Sequence, residues 1–137
     1  MKILLISATI DSSTGWGAVT YNHCLSLYNS KQDFILLLPR HSQRLFCPFE
    51  KNIAYLLPTL PLSFASAKDM GKMVFVFQKI TLDYFPDIIH SLTDFPYAVF
   101  GWRLAKKYQR PLILSAVGTY AVLPFTKNVD RFFMKKV

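Results

Sequence analysis

Only two cysteines, Cys24 and Cys47, occur in 137 residues. That is too few for a disulfide scaffold, and nothing in their placement points to an oxidising compartment. No stretch approaches the roughly 18 uninterrupted apolar residues of a spanning helix. Pro39, Pro48, Pro58 and Pro61 interrupt the richest regions. The run Ile3-Leu4-Leu5-Ile6 is too short for a signal-peptide core, and no small-residue cleavage site follows it. Charged residues are sparse at 18%, beside 52% hydrophobic residues, which excludes an intrinsically disordered chain. A single cytoplasmic globular domain is the expectation that remains.

Acidic residues are also few, eight against sixteen Lys and Arg, for a net charge of +8. Residues 1–102 are nearly balanced. The last quarter holds Arg103, Lys106, Lys107, Arg110, Lys127, Arg131, Lys135 and Lys136 against Asp130 alone. Such asymmetry points to an anionic partner near one end: a membrane surface, a phosphorylated ligand or nucleic acid.

Apolar runs alternate with helical spacing along the chain. Lys2–Ser7 reads as a buried strand, followed by the turn-rich loop Asp11–Gly17. Ala18, Tyr21, Leu25 and Tyr28 recur at helical spacing, predicting a helix from Ala18 to about Ser30. Phe34–Leu38 and Ile53–Leu57 are further strands, each stopped by proline. A helix is expected from Ser66 to about Tyr84, then a strand over Asp87–Leu92. The next helix carries Ala98, Gly101, Trp102, Ala105 and Tyr108 on one face and Arg103, Lys106, Lys107 and Arg110 on the other. Pro111 opens a fifth strand, Leu112–Val117, before a turn at Gly118-Thr119-Tyr120. Strands buried on both faces and joined by helices predict a doubly wound, Rossmann-like α/β sandwich of three layers. Its sheet is mostly parallel, with strand order 3-2-1-4-5. Ligands bind such sheets at the carboxyl ends of the strands, where the order reverses. The loops Asp11–Gly17, His90–Phe95 and Gly118–Tyr120 should meet there.

Gly15 and Gly17 let backbone approach a ligand, and the helix after them offers free N–H groups to an anion; a tight strand-to-helix turn would use the same glycines. The dinucleotide fingerprint is incomplete, since Thr20 stands where a third glycine belongs and Leu38-Pro39-Arg40 offers no acid for a ribose. Gly71-Lys72 leads into Met73, so there is no Walker loop. His90, at a strand end, either meets a sugar or phosphate in the cleft or is satisfied by neighbouring backbone. Asp94 either caps the following helix or reaches the cleft as a base. His23 and Cys24 are adjacent on a helix and diverge, and His41 and Cys47 lack further ligands, so no protein-bound metal is expected. Aromatic residues do not alternate with the basic ones, which disfavours nucleic acid.

Gly15-Trp16-Gly17, the string Pro86-Asp87-Ile88-Ile89-His90-Ser91, the helix end Leu104-Ala105-Lys106-Lys107 and the segment from Arg110-Pro111 to Ser115-Ala116-Val117-Gly118-Thr119-Tyr120 belong together. In order and spacing they resemble the amino-terminal domain of a family 4 glycosyltransferase with the GT-B fold, over nearly the whole chain. The resemblance implies transfer of a sugar from a nucleotide-sugar donor, a substrate and not a bound cofactor, to an acceptor held mainly by this domain. It implies that Gly15 and Gly17 approach the donor diphosphate and that Gly118 and Thr119 line the cleft floor. With Trp16, His90 and Asp94 these make the expected donor and acceptor cleft; the catalytic group is unassigned. Val117 stands where the family commonly has histidine.

The donor-binding carboxy-terminal domain of that family has no counterpart in residues 1–137, and the helical spacing of Val129, Phe132, Phe133 and Val137 ends without a cap. The chain is therefore expected to be one half of a truncated or split enzyme, inactive alone, its other half supplied by a further domain or a partner chain. Lipid-linked acceptors in the family make Arg103, Lys106, Lys107 and Arg110 a candidate anionic-membrane surface on the inner face. Two rival functions remain: a non-catalytic subunit that docks on a membrane, and a phosphate-ligand binding module.

Overall fold

The structure, a computed structural model, describes residues 1–40, 42–57, 84–93 and 97–115. Strand β1 spans Lys2–Ile6, helix α1 Gly15–Asn29, β2 Asp33–Pro39 and β3 Ile53–Leu57, the last preceded by a 3₁₀ turn at Glu50–Asn52. Then come β4 at Ile88–Ser91, helix α2 at Tyr97–Tyr108 and β5 at Leu112–Leu114. The five strands form one all-parallel sheet of order β3-β2-β1-β4-β5, as the alternation of apolar runs and helices predicts. The helix expected between Ser66 and Tyr84 falls, save for Tyr84, outside the described residues. So do Val117, the turn at Gly118–Tyr120 and the Val129–Val137 spacing.

Burial on both faces explains why the strands read as continuous apolar runs. On one face Ile3 and Leu5 of β1 join Phe34, Leu36 and Leu38 of β2 beneath Tyr21, Cys24 and Leu25 of α1. On the other, Leu4, Ile6, Leu37 and Ile89 pack under Tyr97, Val99, Phe100, Leu104 and Ala105 of α2. A register shift between Leu38 and Pro39, which pair with Tyr55 and Leu57, interrupts that alternation, and Leu57 joins the α2 face. Phe49 sits fully buried against the rings of Tyr21 and Phe34, pinning the loop between β2 and β3 to the α1 face. At the amino edge, Asp87 clamps β4 to β1. The Lys2 amide donates to its Oδ2 at 2.8 Å and its own amide donates to the Lys2 carbonyl at 2.9 Å.

Both described helices end over a non-glycine residue in the left-handed region. After α1, the Gln32 amide donates to the Leu27 carbonyl and the Lys31 amide to that of Tyr28, with Lys31 at φ 55°. After α2, the Arg110 amide donates to the Ala105 carbonyl over Gln109 at φ 52°. Arg110 therefore leaves the helix and does not extend its basic face. Its guanidinium lies 4.6 Å from the centroid of the Phe85 ring. Lys106 and Lys107 remain exposed, while Arg103 is half-buried. Trp102, expected on the packing face, is half-buried with the Lys106 ammonium 5.6 Å from its ring. Gly101, expected on the same face, does approach the sheet closely: an added Cβ would lie 3.3 Å from Leu112 Cδ1 and 3.4 Å from Ile6 Cδ1. Among the described residues no helix is long and apolar enough to cross a membrane.

Candidate functional site at the carboxyl edge of the sheet

Helix α1 begins at Gly15, three residues before the periodic apolar signal starts. Thr14 makes this possible. Its extended backbone and side chain cap the first turn, with Oγ1 accepting from the Gly17 amide at 3.0 Å and donating to the Asp11 carbonyl at 2.9 Å. The Ala18 amide donates to the Thr14 carbonyl. Among the described residues nothing accepts from the amides of Gly15 and Trp16. Gly17 is thus committed within the chain, and a Cβ there would lie 1.8 Å from the Asp11 carbonyl oxygen. Its lack of a side chain serves the loop's own close approach, whereas Gly15 faces open space. Asp11 itself accepts from the hydroxyl and amide of Ser13, which holds its carboxyl below the usual range.

Each of the three adjacent strands β1, β4 and β5 closes on a serine: Ser7, Ser91 and Ser115. Ser7 Oγ and Thr20 Oγ1 of α1 lie 2.8 Å apart, buried, tying the start of the helix to the end of the central strand. Ser91 donates to the Thr93 carbonyl at 2.7 Å, while the buried Thr93 Oγ1 has no hydrogen-bond partner among the described residues. Ser115 extends the β4–β5 ladder, its amide donating to the Ser91 carbonyl, and its hydroxyl meets His90 Nε2 at 2.8 Å. Among the described residues, His90 Nε2 thus meets a side-chain hydroxyl.

His23 completes this group. Its ring lies edge-to-face with that of His90, centroids 5.0 Å apart. Burial and the neighbouring His23 push the His90 imidazole down to about 4, and burial lowers His23 as well. Both are neutral at pH 7, able to donate and accept hydrogen bonds without charge. On the sequence alone His23 is weighed only as a metal ligand, and Ser115 enters only as part of the segment ending at Tyr120, with no role of its own. The serine repeated at strand ends was the available signal for Ser115; nothing in sequence spacing links residues 23, 90 and 115. Cys24, beside His23, is a core side chain whose thiol is pushed up to about 12 by burial and by Cys47. Among the described residues no group of three or more His, Cys, Asp or Glu could hold a metal ion. Trp16 is half-buried in the first turn of α1; Asp94, Gly118 and Thr119 lie outside the described residues.

Sheet order, crossover helices on both faces and polar groups gathered at the carboxyl edge define a Rossmann-like, doubly wound α/β domain. No family model matches the chain, and no curated protein matches it. Among solved structures it is similar to UDP-GlcNAc 2-epimerase from Methanocaldococcus jannaschii, with a TM-score of 0.58 and 18% identity. The match covers 97% of this chain and 36% of that one, so the chain spans about a third of that enzyme's length. The likeness is one of fold and supports a GT-B-like domain.

Proposed function

We propose that the chain is the acceptor-side domain of a glycosyltransferase, moving a sugar from a nucleotide-sugar donor in concert with a separate donor-binding domain. The observation that carries this reading is the position of the uncommitted Gly15 and Trp16 amides. They open α1 directly after β1, where the strand order reverses between β1 and β4. A helix start at that crevice suits a diphosphate. With the Gly17 amide held by Thr14, the diphosphate contact falls to Gly15 and Trp16. His90, neutral and fixed by Ser115, offers a sugar hydroxyl a hydrogen bond without placing charge beside it. The fold shared with a nucleotide-sugar epimerase and the motif resemblance of Pro86–Tyr120 support the same substrate class.

Titration of isotopically labelled protein with UDP, UDP-GlcNAc and an oligosaccharide tests the reading by nuclear magnetic resonance. Amide shifts centred on Gly15 and Trp16 with the nucleotides, and on His90 and Ser115 with the sugars, are expected. Silence at this edge with every probe refutes it. A response to inorganic phosphate equal to that with UDP-GlcNAc, with none to the oligosaccharide, identifies a phosphate-binding module instead.

A further inference from the structure

Single exposed apolar side chains are common and carry no message alone. Phe46 is distinguished by how it is held. It is 99% exposed, yet its neighbours Leu45 and Cys47 pack against the cluster beneath α1, and Phe49 is wholly buried in that cluster. Inward-directed neighbours in an extended segment turn the intervening side chain outward. The ring is therefore displayed by an anchored segment. A second partly exposed ring, Tyr28, lies 6.3 Å from Phe49 on the same face. Arg40, Arg44 and Lys51 are exposed along the loop, and Lys31 is exposed just beyond Tyr28; the exposed acids nearby in sequence are Glu50 and Asp33.

We propose that this aromatic and basic loop docks the protein on an anionic lipid surface. Phe46 enters the boundary of the acyl region while Arg40, Arg44 and Lys51 meet the head-group phosphates. Charge decides for a bilayer over a second copy of the chain, because the same loop of a copy would set Arg40, Arg44 and Lys51 against their own like charges. The surface lies on the α1 side of the sheet, while Lys106 and Lys107 belong to α2 on the opposite side, so it is distinct from the basic helix. It does not depend on what the carboxyl edge of the sheet binds.

Co-sedimentation with vesicles tests it. The protein should bind mixed phosphatidylcholine–phosphatidylglycerol vesicles at low salt, but not phosphatidylcholine alone, and should be released as ionic strength rises. Phe46→Ser should lower partitioning by about tenfold, and Arg44→Glu should weaken it too. Phe46→Trp should add a blue-shifted emission with mixed vesicles, above the baseline set by Trp16 and Trp102. Because Phe46 and Arg44 both stand in solvent, circular dichroism and the thermal midpoint should not change in any of these variants. Absence of binding at low salt overturns the proposal, as does equal binding by wild type and Phe46→Ser. Two other results do the same: loss of binding only in a Lys106→Glu, Lys107→Glu variant, or a dimer seen by light scattering that Phe46→Ser dissociates.

Discussion

Gly17 and Gly15 stand two residues apart and have different work. A methyl group at Gly17 would sit 1.8 Å from the Asp11 carbonyl oxygen, a backbone atom that cannot swing aside. Gly17→Ala should destabilise the fold by about 2–3 kcal/mol. Gly15→Ala, with nothing within 4 Å, should be neutral or slightly stabilising. Urea denaturation of the two variants checks this, and equal midpoints would contradict the close approach. The histidine pair makes a separate prediction at this scale. His90 titrates near 4 in the fold against an ordinary value of 6.5, so between these values the unfolded chain binds a proton that the native one refuses. Stability should therefore be full above pH 6.5 and fall as pH drops toward 4, by about 3 kcal/mol from His90. His23, shifted in the same direction, adds to the fall. His90→Gln should flatten this part of the curve measured by denaturant midpoints; an unchanged slope would show that the pair is not the cause.

Helix boundaries are decided by their end geometry more than by the periodic core. The apolar spacing predicted α1 from Ala18, yet Thr14 starts the helix earlier, because a side-chain cap supplies what Gly15 and Gly17 lack in propensity. Thr14→Ala should cost about 1 kcal/mol and leave the Gly17 amide unpaired. At the other ends, Lys31 and Gln109 occupy left-handed positions that glycine adopts without a Cβ clash. Lys31→Gly and Gln109→Gly should each stabilise the protein by about 0.5–1 kcal/mol, read as a raised thermal midpoint. A loss of stability in both would mean that their side chains contribute more than the backbone strain costs. The same end geometry takes Arg110 off the basic face, which helical extrapolation alone had placed in line with Lys106 and Lys107.

For the molecule as a whole, the parallel sheet gathers Ser7, His90, Ser91 and Ser115 at its carboxyl edge. Sugar transfer requires donor and acceptor to be held together in a closed geometry. If the proposed function holds, purified residues 1–137 should bind sugar ligands without turning over a nucleotide sugar. Release of UDP from UDP-GlcNAc in the presence of acceptor, measured by a coupled assay, would show instead that the chain carries a complete active site. Lys106→Glu with Lys107→Glu should leave the fold intact, since both side chains are exposed and the sheet contact runs through Tyr97, Phe100, Gly101 and Leu104.

The sheet was legible in the amino-acid pattern alone. Ile3–Ile6, Phe34–Leu38 and Ile88–Ile89 are apolar at consecutive positions because both faces are covered, and right-handed crossovers then leave little freedom in the strand order. Local chemistry also marked Gly15, Gly17 and His90 as belonging near the carboxyl edge. Which atoms meet there was a tertiary matter. Register pairs Ser91 with Leu114, which puts the Ser115 amide on the Ser91 carbonyl and its hydroxyl within reach of His90, and the packing of α1 on the sheet places His23 against the same imidazole. Apolar periodicity records which side of an element is buried. It does not record how far a helix is rotated or slid along its sheet, and that placement sets the distances among residues 23, 90 and 115.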